Sequence, residues 1–160
     1  MFLGAHTLAE AAEITRQPLF KIERSKNANI VQYDAQVGPD GKLLKKEPVV
    51  AYWIRHNEQG QIEELSWVQR TFAFGVKGKL EKGGESAKLD MVADMGQPIR
   101  VIREGDTYRA VAPIEGPMSY LEKMYINATG KGIKVTVHYI EIFGKDMETG
   151  KDTYFKFFPE

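Results

Sequence analysis

Hydrophobic and polar residues alternate along most of this chain with a period of two, which marks strands with one covered face. Leu19–Ser25 puts Phe20 and Ile22 on one side and Leu19 and Lys21 on the other. After the polar turn KNAN, Ile30–Val37 aligns Val31, Tyr33, Ala35 and Val37 on one face. Val49–His56 is apolar on both faces, as in a central or doubly covered strand. The same reading gives strands at Leu89–Asp94, Ile99–Glu104, Tyr108–Ile114, Met118–Ile126, Ile133–Phe143 and Thr153–Phe158. One stretch breaks the period. Across Gln61–Gly75 the apolar residues Ile62, Leu65, Val68 and Phe72 recur at helical spacing, which predicts a helix stopped by Gly75.

Glycine-bearing turns separate these runs. GPDG after Val37, EQG after Asn57 and METG after Asp146 each supply the positive φ that a tight turn needs. KGGESA at 82–87 reads as a flexible loop, and Pro98, Pro113 and Pro117 point to edges or bends. Short turns between successive strands favour antiparallel neighbours, and about nine strands in one small domain tend to close or fold over. The expectation is a mainly β fold, an antiparallel barrel-like meander with one packed helix, with a β-sandwich as the alternative. One domain spans 18–160. Residues 1–17 form either a signal remnant cut near Ala9-Glu10-Ala11 or a short helix capped by Thr7 and Glu10.

Composition narrows the function classes. Among the 160 residues, 22 Lys and Arg balance 22 Asp and Glu, so nothing favours a general grip on nucleic acid. There is no cysteine, which removes disulfides, thiolate metal sites and a cysteine nucleophile. No apolar run approaches the roughly 18 residues of a spanning helix. His6, His56 and His138 lie apart and lack zinc-site spacing, and no phosphate loop or nucleophile elbow appears. The chain therefore implies no metal and no cofactor.

Two charged residues sit on apolar faces. Arg24 continues the face of Phe20 and Ile22, and Glu141 continues that of Val135, Val137 and Tyr139. A charge on such a face is paired or opens on a cavity, so Arg24 and Glu141 are expected to meet, directly or across a ligand. If the first three strands are antiparallel, Arg24, Ser25, Asn27, Asn29, Arg55 and His56 gather at one rim. Two guanidiniums with amides and a hydroxyl hold a carboxylate or phosphate well. The plainer alternative is an ion pair, with the turn residues capping their own backbone.

LFKIERSKNANIVQYD, PVVAYWIR, ELSWVQRTFAFGVKG and YIEIFGKDMETGK together resemble a bacterial family catalogued only as a domain of unknown function. The resemblance implies a small exported or periplasmic protein and carries over no catalytic residue; a cytoplasmic protein is the alternative. The leading functional expectation is a non-enzymatic binding or accessory protein of the cell envelope, for a small amphipathic or anionic ligand or a partner protein. The rivals are a hydrolase or isomerase using Glu141 or His56 as general base, and an interaction module with an exposed strand edge.

Overall fold

The computed structural model describes residues 13–66, 69–70, 74–91, 98–131 and 134–159. Among these residues the chain is mainly β. Its strands are β1 (Thr15–Arg24), β2 (Ile30–Val37), β3 (Val49–Arg55), β4 (Gln61–Glu64), β5 (Val76–Leu80), β6 (Ser86–Met91), β7 (Ile99–Glu104), β8 (Thr107–Pro113), β9 (Met118–Thr129), β10 (Thr136–Asp146) and β11 (Asp152–Phe157). They form one mixed sheet in the order β4-β3-β2-β1-β9-β8-β7-β6-β5, with β10 and β11 branching from β9.

The long strand β9 explains the shape. One of its edges is taken by β10 from Ser119 to Thr129. Its other edge is shared, with β8 on Met118–Tyr120 and β1 on Lys123–Ile126. Two antiparallel wings, β1–β4 and β5–β8, therefore leave the same edge of β9 at different heights and fold toward each other. The β1–β9 pairing is parallel, which a pure meander excludes. Gln17 joins the wings where β1 and β8 part. Its side-chain amide donates to the Asp106 carbonyl (3.2 Å) and accepts from the Tyr108 N–H (2.8 Å).

The core lies between the wings. From the first come Phe20, Ile22, Val31, Tyr33 and Ala35, and from the second Ala87, Leu89, Val101 and Ala110, with Met124, Ile140 and Ile142 from the spine. Phe20 stacks on Tyr33 with ring centroids 4.6 Å apart, a placement made by the bulge between Pro18 and Phe20. The Tyr33 hydroxyl donates to the Phe74 carbonyl (2.8 Å), tying β2 to the chain entering β5.

The sheet does not close into a barrel. No strand pairing joins β3 or β4 to β5, although Gly78 on β5 lies against Pro48 at the start of β3. Among the described residues the expected helix over Gln61–Gly75 is also not found. Gln61–Glu64 instead pairs with β3, with Ile54 opposite Ile62 and Tyr52 opposite Glu64. Ile62 is exposed while Leu65 is buried, so these two do not share a covered face, and Val68 and Phe72 lie outside the described residues. Gln69 and Arg70 are helical, and 67–68 and 71–73 lie outside the described residues. β5 was not anticipated, and β6 takes Ser86 and Ala87 from the expected loop. Of the proposed N-terminal segment, 1–12 lie outside the described residues and Thr15–Gln17 belong to β1. The three glycine turns form as expected: Gly41, Gly60 and Gly150 have φ of 80°, 77° and 72°.

Candidate functional site

Sheet register places Arg24. Ile22 stands opposite Val31 on β2 and Met124 on β9, and Arg24 stands opposite Ile126. These partners are buried, so Arg24 points to the covered face, as its alternation with Phe20 and Ile22 indicates. Extending the register two residues beyond Ile22–Val31 and one beyond Ile30–Ile54 aligns Arg24, Asn29 and Arg55 in a single row. The Arg24 guanidinium lies 4.5 Å from the Trp53 ring centroid and 5.7 Å from that of Phe74. Trp53 is itself fixed by its indole N–H, which donates to Gln69 Oε1 (2.9 Å).

The row carries two like charges. Burial, and then the charge of Arg55, lower the pKa of Arg24. Arg55 is raised, first by its hydrogen bond to Glu58. Arg55 reaches Glu58 (3.0 Å) and Glu63 (3.2 Å). Among the described residues Arg24 makes one side-chain bond, to Asn27 Oδ1 (3.3 Å). In both arginines the Nε atom is shielded from solvent and has no hydrogen-bond acceptor among the described residues.

The other predicted residues divide. Ser25 is occupied, donating to the Ala128 carbonyl and accepting from its N–H, both at 3.1 Å. Asn27 caps the turn by accepting from the Asn29 N–H (3.0 Å). Asn29 is buried. His56 is exposed in a short 3-10 turn, His56–Glu58. Glu141 does not join the row. It stands opposite Tyr125, which stands opposite Glu23, so it lies on the outer face while Arg24 lies on the inner one. It accepts a hydrogen bond from the Tyr154 hydroxyl. The expected Arg24–Glu141 contact is therefore absent, because the covered face of β10 carries Ile140 and Ile142 rather than Tyr139 and Phe143. Among the described residues no cluster of His, Asp and Glu is placed to hold a metal ion, and no helix is long and apolar enough to cross a membrane.

Sequence reasoning missed a second feature. A cleft of about 700 Å³ separates β3 from β5, lined by Arg16, Tyr52, Leu65, Arg70, Val76 and Lys77 among others. Beside it the Tyr52 hydroxyl donates to the buried Asp34 carboxylate (2.6 Å), whose other oxygen has no partner among the described residues. A carboxylate inside the apolar run Ile30–Val37 is the same signal that singled out Glu141. Burial and then Asp34 push the Tyr52 phenol up to about 12, and the Glu141 hydrogen bond first does the same for Tyr154. A phenol raised in the folded state stabilises it fully below its unfolded pKa and loses that stabilisation as pH rises through the folded value. Stability is therefore expected to fall between pH 10 and about 12. Chemical denaturation at stepped alkaline pH checks this, and Tyr52→Phe with Tyr154→Phe should flatten the fall.

No curated protein and no solved structure matches the chain. Residues 20–156 match the model of a family described as a domain of unknown function, DUF4833, and the chain belongs to that family.

Proposed function

We propose that the protein is a non-catalytic binding protein for a small ligand with an anionic group, held by Arg24 and Arg55. One observation carries the reading: two arginines on one row, within electrostatic reach of each other, each with a shielded Nε–H that lacks an acceptor among the described residues. Buried donors of this kind are costly when unmet. A carboxylate or phosphate oxygen accepts from both and offsets their repulsion. Trp53 and Phe74, against which Arg24 rests, supply an apolar wall for the rest of an amphipathic ligand. A general-base reading with Glu141 gains no support from this geometry, since Glu141 stands on the opposite face. Placement in the bacterial envelope is part of the proposal and rests on the family resemblance; fractionation of the host cell tests it.

Isothermal titration with inorganic phosphate and with short-chain monocarboxylates tests the binding. We expect saturable binding to the wild-type protein. Arg24→Gln and Arg55→Gln should each weaken it by about 2 kcal/mol, roughly thirtyfold. Arg24→Gln removes one of two repelling cations, and Arg55→Gln gives up only solvent-exposed pairs with Glu58 and Glu63, so the fold should persist. Absence of binding by every anion tried, or equal binding by both variants, contradicts the proposal.

A further inference from the structure

We propose that the cleft between β3 and β5 receives an extended acidic peptide segment of a partner protein, which adds to β3 as a further strand. The β3 strand pairs with β2 from Val49 to Ile54 but with β4 only over Tyr52–Arg55, so among the described residues Val49–Ala51 has no strand neighbour on the cleft side. Hydrogen-bonding direction alternates along an antiparallel strand. The Pro48 carbonyl accepts from the Gln36 N–H, so Pro48, Val50 and Tyr52 face β2. The peptide groups of Val49 and Ala51 therefore face the cleft. The same holds opposite. The Glu81 N–H donates to the Ser86 carbonyl, so Lys79 and Lys77 face β6. Val76 and Gly78 then present theirs outward, and among the described residues β5 has no other strand partner.

Two unpaired edges across a cleft are a template for strand addition. Close contact of Gly78 with Pro48 shuts one end of the slot. Ile62 lines the cleft and is 64% exposed, an apolar anchor awaiting cover. Charge selects the occupant. Arg16, Arg70 and Lys77 line the cleft with Glu47 and Glu64, and none of the five is ion-paired among the described residues. The balance of three cations against two carboxylates favours an acidic segment over a basic one.

The test uses the whole protein and a dye-labelled synthetic peptide of alternating valine and glutamate, followed by fluorescence polarisation and by amide exchange in NMR. The expected result is saturable binding that weakens with salt and slows exchange at Val49 and Ala51. A peptide N-methylated at alternate residues should bind at least about tenfold more weakly, because strand addition depends on its backbone donors. Ala51→Pro should abolish binding and keep the fold, since proline is tolerated where the N–H faces outward from an edge. Lys77→Glu should weaken binding and decides the matter if Ala51→Pro does not fold. No saturable binding, equal binding of the N-methylated peptide, or protection confined to other amides overturns the proposal. Because Arg24 and Arg55 line no part of this cleft, their variants leave peptide binding unchanged.

Discussion

Replacing Tyr33 by alanine is expected to remove about 4 kcal/mol of unfolding free energy. Its side chain is completely buried and fills the space between the wings. The ring stacks almost flat on Phe20, with an interplanar angle of 9°. Alanine leaves a cavity that the two wings cannot both collapse into, since each is held in register along β9. The hydroxyl adds a separate effect. It satisfies the Phe74 carbonyl just ahead of β5, so Tyr33→Phe should cost about 1 to 2 kcal/mol by leaving that acceptor unmet. Urea denaturation of both variants checks the order. Equal loss in the two would mean that the hydrogen bond, and not the ring, joins the wings.

The second large effect is expected at Gly144. A Cβ there would lie 2.2 Å from the Tyr120 carbonyl oxygen and 2.6 Å from Ile114 Cδ1. Gly144 sits at the irregularity in the β9–β10 ladder, opposite Leu121, where β9 passes from β8 to β1. The carbonyl is backbone and moves only if the ladder moves. Gly144→Ala should therefore cost about 3 kcal/mol. Gly150 makes the contrast: its φ of 72° disfavours a side chain, but open space surrounds it. Gly150→Ala should cost only about 1 kcal/mol of left-handed strain. Thermal unfolding of the two variants separates a packing constraint from a conformational one. A smaller loss at Gly144 than at Gly150 would contradict the close approach described.

Local rules were enough where one face of a strand is plainly apolar. The bounds of β2 and β7 follow from alternation between glycine, proline and polar turns, and the inward direction of Arg24 follows from Phe20 and Ile22. They failed where both faces are apolar. In β10, Tyr139 and Phe143 compete with Ile140 and Ile142, and alternation alone does not say which pair is covered. Taking Val135, Val137 and Tyr139 as the covered face puts Glu141 on the wrong side of the strand. The Ile62–Phe72 pattern failed for another reason. Its spacings match a helix, yet Ile54 and Tyr52 offer Gln61–Glu64 a strand partner, and pairing overrides so short a pattern. The parallel β1–β9 contact and the cleft beside β3 arise between residues distant in the chain, and no local spacing encodes them. At the candidate site the sequence brought forward Arg24, Asn29 and Arg55 as neighbours. It did not supply the orientation of Trp53 and Phe74 beneath Arg24, because aromatic residues in strands read first as core.

The central claim is that Arg24 and Arg55 act together on one anion. The most direct measurement is nitrogen–proton NMR of arginine side chains during titration with inorganic phosphate. The Nε–H signals of Arg24 and Arg55 should shift together along one saturating curve, with the other arginines moving less. Unmoved signals from both, or shifts that differ in midpoint, would contradict a shared anion site.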